Sequence, residues 1–335
     1  MIILGIETSC DDTSAAVLID GEVRSNVVSS QDDIHGAYGG VVPELAARRH
    51  LELVTTVVEA AVERAGVAYA DIDRIAVTRG PGLLGSLLVG VSAAQGLALR
   101  LGIPAMGINH LEGHALSSLL TTPLVAPFLS GVVSGGHTAL YLVREIGDYA
   151  EIASTCDDSA GEAFDKGAKM LGLGFPGGRE IDNLAKRGQP NAVSFPRARV
   201  RRDPMAWSFS GLKTALWDYL RSPSRTASIE DVCASFQEAI VDVLVDRCTK
   251  AMATTGIPRV ALAGGVAANS RLRARMDMAV SERGGILSYP PPSLCTDNAA
   301  MVAFVAWLRL EAGISCDDAI HAVSRLPLGP KLTRS

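Results

Sequence analysis

The segment His110-Leu111-Glu112-Gly113-His114 places two imidazoles four residues apart. On a helix, positions i and i+4 share a face, and two neutral imidazoles so placed can hold one divalent metal ion. The plain alternative is a pair of histidines without a metal. The chain has six histidines, so two at this spacing are suggestive. A third ligand should be a hard donor from a distant part of the chain. Asp297, in Cys-Thr-Asp-Asn-Ala-Ala, is the candidate; its simpler reading is a carboxylate favoured at a helix start. The spacing also tests a peptidase. In His-Glu-x-x-His the glutamate follows the first histidine at once and acts as base. Here Leu111 stands in that place. At ~100° per residue Glu112 lies ~200° round the helix from His110, whereas His114 lies ~40° from it. Glu112 therefore points off the metal face, which argues against zinc-peptidase chemistry.

Four further stretches are rich in small residues at the ends of expected strands or helices: Glu7 to Ser14, Ser134 to Thr138, Phe175 to Asp182 and Ala263 to Ser270. Glycine lets a backbone approach a ligand closely, and successive N–H groups form an anion nest. Each turn alone has an ordinary reading as a tight hairpin or a helix start. Together they suit a site that wraps a phosphorylated nucleotide from several sides. Gly264 and Gly265 stand between a strand and a helix, with Asn269 early in that helix, where an electropositive terminus favours phosphate.

Elements must position these residues. Ile2 to Glu7, Thr13 to Asp20 and Glu22 to Ser30 read as a β-meander, with Gly21 supplying a hairpin turn. Pro43 to Ala65 reads as a long amphipathic helix closed by Gly66. Residues 82–101 form a helix rich in small residues, and residues 104–109 a strand leading into a short helix from His110. Phe128 to Glu145 is again strand, glycine turn, strand, an echo of the opening that suggests two similar lobes. Helices are expected at about 161–171 and from about Gly178. Ser228 caps a long amphipathic helix, and Thr296 is a plausible cap for the last one.

With 335 residues, 48% of them hydrophobic, the chain suits a two-lobed α/β protein. The net charge of −5 leaves any nucleic-acid contact to a local basic patch. Arg197, Arg199, Arg201 and Arg202, with Lys213 nearby, form one such candidate; a solvated charged loop is its alternative. The six cysteines (10, 156, 233, 248, 295 and 316) make no C-x-x-C pair and read as reduced thiols. The first residues lack a basic n-region and reach Glu7 early, so no secretory signal is expected. The apolar run Leu83 to Leu99 is broken by glycines and reads as too short and too interrupted for a membrane span. The location expected is cytoplasmic.

Nine motifs then occur in order: GIETSCDDTSAAV, GGVVPELAARRHLE, RGPGLLGSLLVG, INHLEGHALS, VVSGGHTAL, GEAFDKGAKMLGLGFPGGREID, FSGLKTA, LAGGVAANSRLR and CTDNAAMVA. Over roughly residues 2–325 the chain closely resembles the bacterial tRNA N6-adenosine threonylcarbamoyltransferase family, once labelled O-sialoglycoprotein endopeptidases. The resemblance implies the fold of actin, the Hsp70 ATPase domain and sugar kinases, with duplicated mixed-sheet domains around a nucleotide cleft. The division expected is an N-terminal, partner-binding lobe of residues 1–108 plus about 298–335 and a C-terminal lobe of 109–297, with the metal and nucleotide between them.

The resemblance also implies a metal held by His110, His114 and Asp297, usually iron(II), with zinc as the other option. It implies contact of the substrate adenylate with Val133, Ser134, Gly135, Gly136, His137, Asp165, Gly178, Asp182 and Asn269. His137 marks the bacterial form, since archaeal and eukaryotic cytosolic relatives carry Asn there. Asp12 stands where many relatives have Glu. The implied reaction moves threonylcarbamoyl from threonylcarbamoyl-AMP to the exocyclic N6 amine of the adenosine 3′ of the anticodon in tRNAs reading A-starting codons, and releases AMP. Asp11 is the candidate proton acceptor or metal-site partner; its bland reading is a hairpin-turn residue. Implied partners are tRNA, a degenerate paralogous subunit on the N-terminal lobe, an ATPase subunit and an upstream adenylate-forming synthase, with no membrane. The competing readings are an ATP-dependent kinase or ATPase of the same fold, a metallopeptidase and a non-catalytic scaffold.

Overall fold

The apolar strands at the start of the chain pair as their alternation requires. In the computed structural model, which describes residues 1–223, 225–314 and 320–332, the elements follow in chain order. They are β1 (Ile2–Glu7), β2 (Thr13–Ile19), β3 (Glu22–Ser29), α1 (Asp32–Gly36), α2 (Pro43–Ala65), β4 (Arg74–Gly80), α3 (Leu84–Leu101), β5 (Ala105–Asn109) and α4 (His110–Leu116). Then come β6 (Phe128–Val133), β7 (Thr138–Glu145), β8 (Asp148–Ser154), α5 (Ala160–Leu171), α6 (Gly178–Ala185), α7 (Ser210–Arg221) and α8 (Ile229–Thr255). The chain closes with β9 (Arg259–Ala263), α9 (Ser270–Ser281), β10 (Ile286–Ser288) and α10 (Ala299–Glu311).

Two compact units result: residues 1–123, 145–149 and 296–329, and residues 124–144, 150–295 and 330–335. The first unit runs on past residue 108 to Pro123, so it keeps α4, and it resumes at Thr296.

The first sheet has the order β3-β2-β1-β4-β5 and the second β10-β9-β6-β7-β8. Read from the opposite edge the orders correspond. β1 pairs antiparallel with β2 and parallel with β4; β6 pairs antiparallel with β7 and parallel with β9. The duplication hardly visible in letters is thus plain in topology. β8 is a strand the sequence reading did not anticipate.

In the first unit Leu4, Ile6, Val17, Val77, Val54 and Val58 form a continuous core. Gly66 takes the left-handed conformation that closes α2. α3 has the length and composition to span a membrane by those measures alone. One face packs closely at Gly90, where a Cβ would lie 2.3 Å from the Thr8 hydroxyl oxygen. Leu84, Leu88 and Leu99 of α3 and Leu51 of α2 are exposed. In the second unit α8 is buried along most of its length, and Phe164, Phe236, Leu244 and Leu262 lie in its core. Ser228 caps α8 by accepting from Asp231 N. Cys10, Cys156, Cys233, Cys248 and Cys295 are free thiols, and Cys316 lies outside the described residues.

Candidate metal centre and glycine-turn site

Residues that can hold a metal gather in the first unit. Asn109 ends β5 and caps α4, its side chain accepting from Leu111 N. That cap starts the helix at His110, so both imidazoles leave the same face. Their rings lie 4.7 Å apart and nearly perpendicular. Thr296 is not the cap of the last helix. Asn298 fills that role, accepting from Met301 N at 3.1 Å, because its side chain reaches the free amide that Thr296 stands too far back to meet. Asp297 therefore sits just ahead of α10 rather than inside it. Its Oδ1 lies 2.9 Å from His114 Nε2 and 3.7 Å from His110 Nε2. Among the described residues these three form a group whose ligand atoms lie within 4.8 Å of one another.

The donor set fits a divalent transition metal on two grounds. Two imidazoles and one carboxylate match iron or zinc chemistry, whereas magnesium prefers oxygen alone. His114 Nδ1 is a buried nitrogen with no hydrogen-bond partner among the described residues, so that imidazole is not saturated by them.

Behind the triad lies a residue the sequence reading missed. Glu7, fully buried at the end of β1, takes a hydrogen bond from His110 Nδ1 at 3.0 Å. It also accepts from Thr78 Oγ1 at 2.6 Å and Ser9 N at 2.5 Å. A carboxylate on Nδ1 fixes the tautomer and leaves Nε2 for a metal. The signal was available: an acid closing an otherwise apolar strand needs a partner when buried. Burial would raise the Glu7 pKa, but His110 and Thr78 hold it below the usual value. Burial would lower that of His110, but Asp297 and Glu7 together raise it to about 9.

Asp11 and Asp12 lie in the turn after β1. Burial raises both pKa values and Asp297 raises them further, Asp12 to about 8. This is an acid-rich pocket that a cation would relieve. His50 of α2 staples the turn. Its Nε2 donates to the Cys10 carbonyl at 2.9 Å and its Nδ1 accepts from Thr13 Oγ1 at 2.8 Å. Burial lowers the His50 pKa, so the neutral ring is the form present.

Glu112 faces away from the triad, as the helical angle requires. It meets Arg309 and the Tyr149 hydroxyl, and so cannot act as a metal-site base.

The second unit assembles its candidates differently. Ser134 N bonds the His137 carbonyl at 2.7 Å, and His137 N bonds Ser134 Oγ at 3.1 Å, closing the glycine turn. Ser159, the cap of α5, donates to the Gly135 carbonyl at 2.5 Å. Val133 is buried and touches Gly264, whose φ is +89° and whose added Cβ would lie 2.3 Å from the Val133 carbonyl oxygen. Gly135 and Gly136 are exposed, and among the described residues only their chain neighbours come within 4 Å of an added Cβ.

Asp165 accepts from Gly177 N at 2.8 Å, ordering the turn that starts α6 at Gly178. Asp182 of α6 accepts from Ser270 Oγ at 2.8 Å. Asn269 is the cap of α9, not a residue inside it. It accepts from Leu272 N and donates to Gln237 at 2.6 Å. The α9 terminus is thus already engaged by Asn269 and Asp182, whereas Gly135 and Gly136 are exposed.

The arginine loop is split. Arg197 is committed to Asp242 through two hydrogen bonds of 3.0 and 2.8 Å, and Lys213 pairs with Asp158. Arg199, Arg201 and Arg202 are exposed.

Two sheets of matched order carrying these sites define a protein of the actin, Hsp70 and sugar-kinase fold class. The full-length HypF structure in its phosphate- and nucleotide-bound form covers 93% of this chain at a TM-score of 0.61 and 15% identity, with 56% of that chain matched. The (R)-2-hydroxyglutaryl-CoA dehydratase component A of Acidaminococcus fermentans gives a TM-score of 0.57 at 16% identity, covering 93% of this chain and 99% of that one. At such identities the likeness concerns the fold alone. Residues 22–304 match the TsaD family, tRNA N6-adenosine threonylcarbamoyltransferase. The enzyme of that name from Trichlorobacter lovleyi is 51% identical over 332 residues, 98% of this chain and 97% of the relative. The chain belongs to the tRNA N6-adenosine threonylcarbamoyltransferase family.

Proposed function

We propose that this protein transfers the threonylcarbamoyl group of threonylcarbamoyl-AMP to the N6 amine of the adenosine immediately 3′ of the anticodon, in tRNAs that read codons beginning with A. The observation that carries this reading is the family match over nearly the whole chain, at 51% identity. The triad and the glycine turns supply what the reaction requires.

An aromatic amine is a weak nucleophile, so positioning matters most. Val133 to His137 hold the donor's adenylate, with the exposed Gly135 and Gly136 backbone against it. Asp165, Gly178, Asp182 and Asn269 shape the same site by fixing the starts of α6 and α9. The amine nitrogen attacks the carbamoyl carbon, the bond to the phosphate oxygen breaks, and AMP leaves with that electron pair. Asp11 accepts the amine proton; its raised pKa makes it a stronger base than an exposed aspartate. His110, His114 and Asp297 would hold a metal ion, iron(II) by preference and zinc as the alternative, which supplies Lewis-acid stabilisation of developing charge. Glu7 orients His110 for that ion. Arg199, Arg201 and Arg202 contact tRNA phosphates.

The protein works in the cytoplasm with a degenerate paralogous subunit, an ATPase subunit and a synthase that makes the adenylate. The exposed leucines of α2 and α3 suit the subunit contact. A phosphotransferase or ATPase reading is less well supported, because the imidazole pair is a poor magnesium site. A peptidase reading fails for want of a base, since Glu112 is occupied by Arg309. A scaffold reading leaves the triad and its supporting Glu7 without a role.

The test is reconstitution. The protein, its partners and the synthase are incubated with tRNA, threonine, bicarbonate and ATP, and the nucleosides are analysed by mass spectrometry. Threonylcarbamoyl-adenosine is expected; its absence from the complete system would overturn the proposal. Near-normal transfer by Asp11→Asn would remove Asp11 as proton acceptor while leaving the activity in place.

A further inference from the structure

Glu112 stands between the two histidines of α4 and has no part in facing the metal, yet its side chain is wholly buried. A buried carboxylate is tolerated only when fully partnered, and Glu112 is. Arg309 Nε donates to Oε1 at 3.0 Å and Arg309 Nη2 to Oε2 at 2.6 Å. The Tyr149 hydroxyl donates to Oε1 at 2.8 Å. Burial and the neighbouring Glu112 raise the Tyr149 pKa, so the phenol keeps its proton and remains a donor.

The two-pronged pair links the two ligand-bearing elements. Glu112 belongs to α4, which carries His110 and His114, and Arg309 lies near the end of α10, which begins just after Asp297. A second contact brings the same helices close: a Cβ at Gly113 would lie 3.1 Å from Met301 Cγ. The bidentate fork of arginine fixes direction as well as distance. Metal sites are sensitive to ligand placement at the level of tenths of an ångström.

We propose that Glu112 is a positioning residue for the metal centre: through Arg309 it sets the separation at which α4 presents its two imidazoles to Asp297. The inference rests on the reading of His110, His114 and Asp297 as a metal site.

The test uses the full chain stripped of metal. Zinc affinity is measured by competition with a chromogenic chelator for wild type, Glu112→Gln, Arg309→Lys and Tyr149→Phe. It is read at a temperature where circular dichroism shows each protein folded. Positioning predicts that folded Glu112→Gln and Arg309→Lys bind zinc about tenfold or more weakly, with a smaller loss in Tyr149→Phe. A purely architectural pair predicts a lower melting temperature with zinc affinity unchanged within about threefold, and that result would overturn the proposal. If Glu112→Gln does not fold, Arg309→Lys and Tyr149→Phe decide by the same criterion. A wild-type chain that binds no zinc or iron would instead refute the metal reading itself, an outcome distinct from equal binding by wild type and variants.

Discussion

The two units build their candidate sites from opposite materials. The first uses side chains: two imidazoles and Asp297, backed by buried Glu7 and flanked by Asp11 and Asp12. The second uses backbone: an exposed Gly135-Gly136 pair, set by Val133 pressed on Gly264 and by Ser159 bonded to Gly135. Side chains concentrate charge and suit a cation. Amides at a glycine turn spread partial charge and suit an anion. The same sheet order carries both, so the difference lies in what each loop supplies and not in the scaffold.

The comparison can be broken at the second unit first. Gly264 combines φ +89° with a backbone atom 2.3 Å from any Cβ. Gly264→Ala is expected to destabilise the protein by about 3 kcal/mol, read as a fall in the denaturation midpoint. A midpoint within error of wild type would show that Val133 and Gly264 do not set the turn.

The first unit answers to pH. His110 is raised to about 9 by Asp297 and Glu7 after burial has lowered it. A metal must displace that proton, so affinity should climb about tenfold per pH unit well below that value, roughly fiftyfold between pH 7 and 9. Proton release measured calorimetrically in buffers of different ionisation enthalpy checks this. Anion binding at the glycine turn should lack the dependence, and equal pH profiles would erase the contrast.

Gly136→Ala sharpens it. Apart from its chain neighbours, no atom of the described residues lies within 4 Å of the added Cβ, so the fold should be unaffected. A bound adenylate would meet the methyl group, and KM for the donor should rise about tenfold with zinc affinity unchanged. An unaltered KM would move the ligand away from this turn.

A further effect concerns the stability of the metal-free protein. Burial, Asp297 and Asp11 raise Asp12 to about 8. Its charged form is therefore disfavoured on folding. The penalty is nil below the ordinary carboxylate pKa, grows as pH rises, and is complete above 8. Asp12→Asn should raise the melting temperature of the metal-free protein by several degrees at pH 8 and leave it unchanged at pH 3. Metal loading should shrink that gain.

What could be read beforehand followed periodicity and charge. The α2 span from Pro43 to Gly66, the opening meander and the i, i+4 histidines are local patterns, and each stands where the residues put it. Glu112 off the metal face followed from the helical angle. For Glu7 the acid closing an apolar strand was visible but its partner was not, because His110 lies 103 positions away and no local spacing announces the pair. The Thr296 assignment failed for a local reason: Asn298 competes for the same cap and reaches Met301 N. Arg197 looked like its neighbours in the basic loop until the fold supplied Asp242. The duplication was faint in letters because sheet order constrains pairing and not residue type.

The most direct measurement is elemental analysis of anaerobically purified wild type beside His114→Ala and Asp297→Ala. The account predicts a single transition-metal ion per wild-type chain, lost in both variants while circular dichroism stays native. A metal-free, active wild type, or a variant that keeps its metal in full, would contradict the triad as the centre of the site.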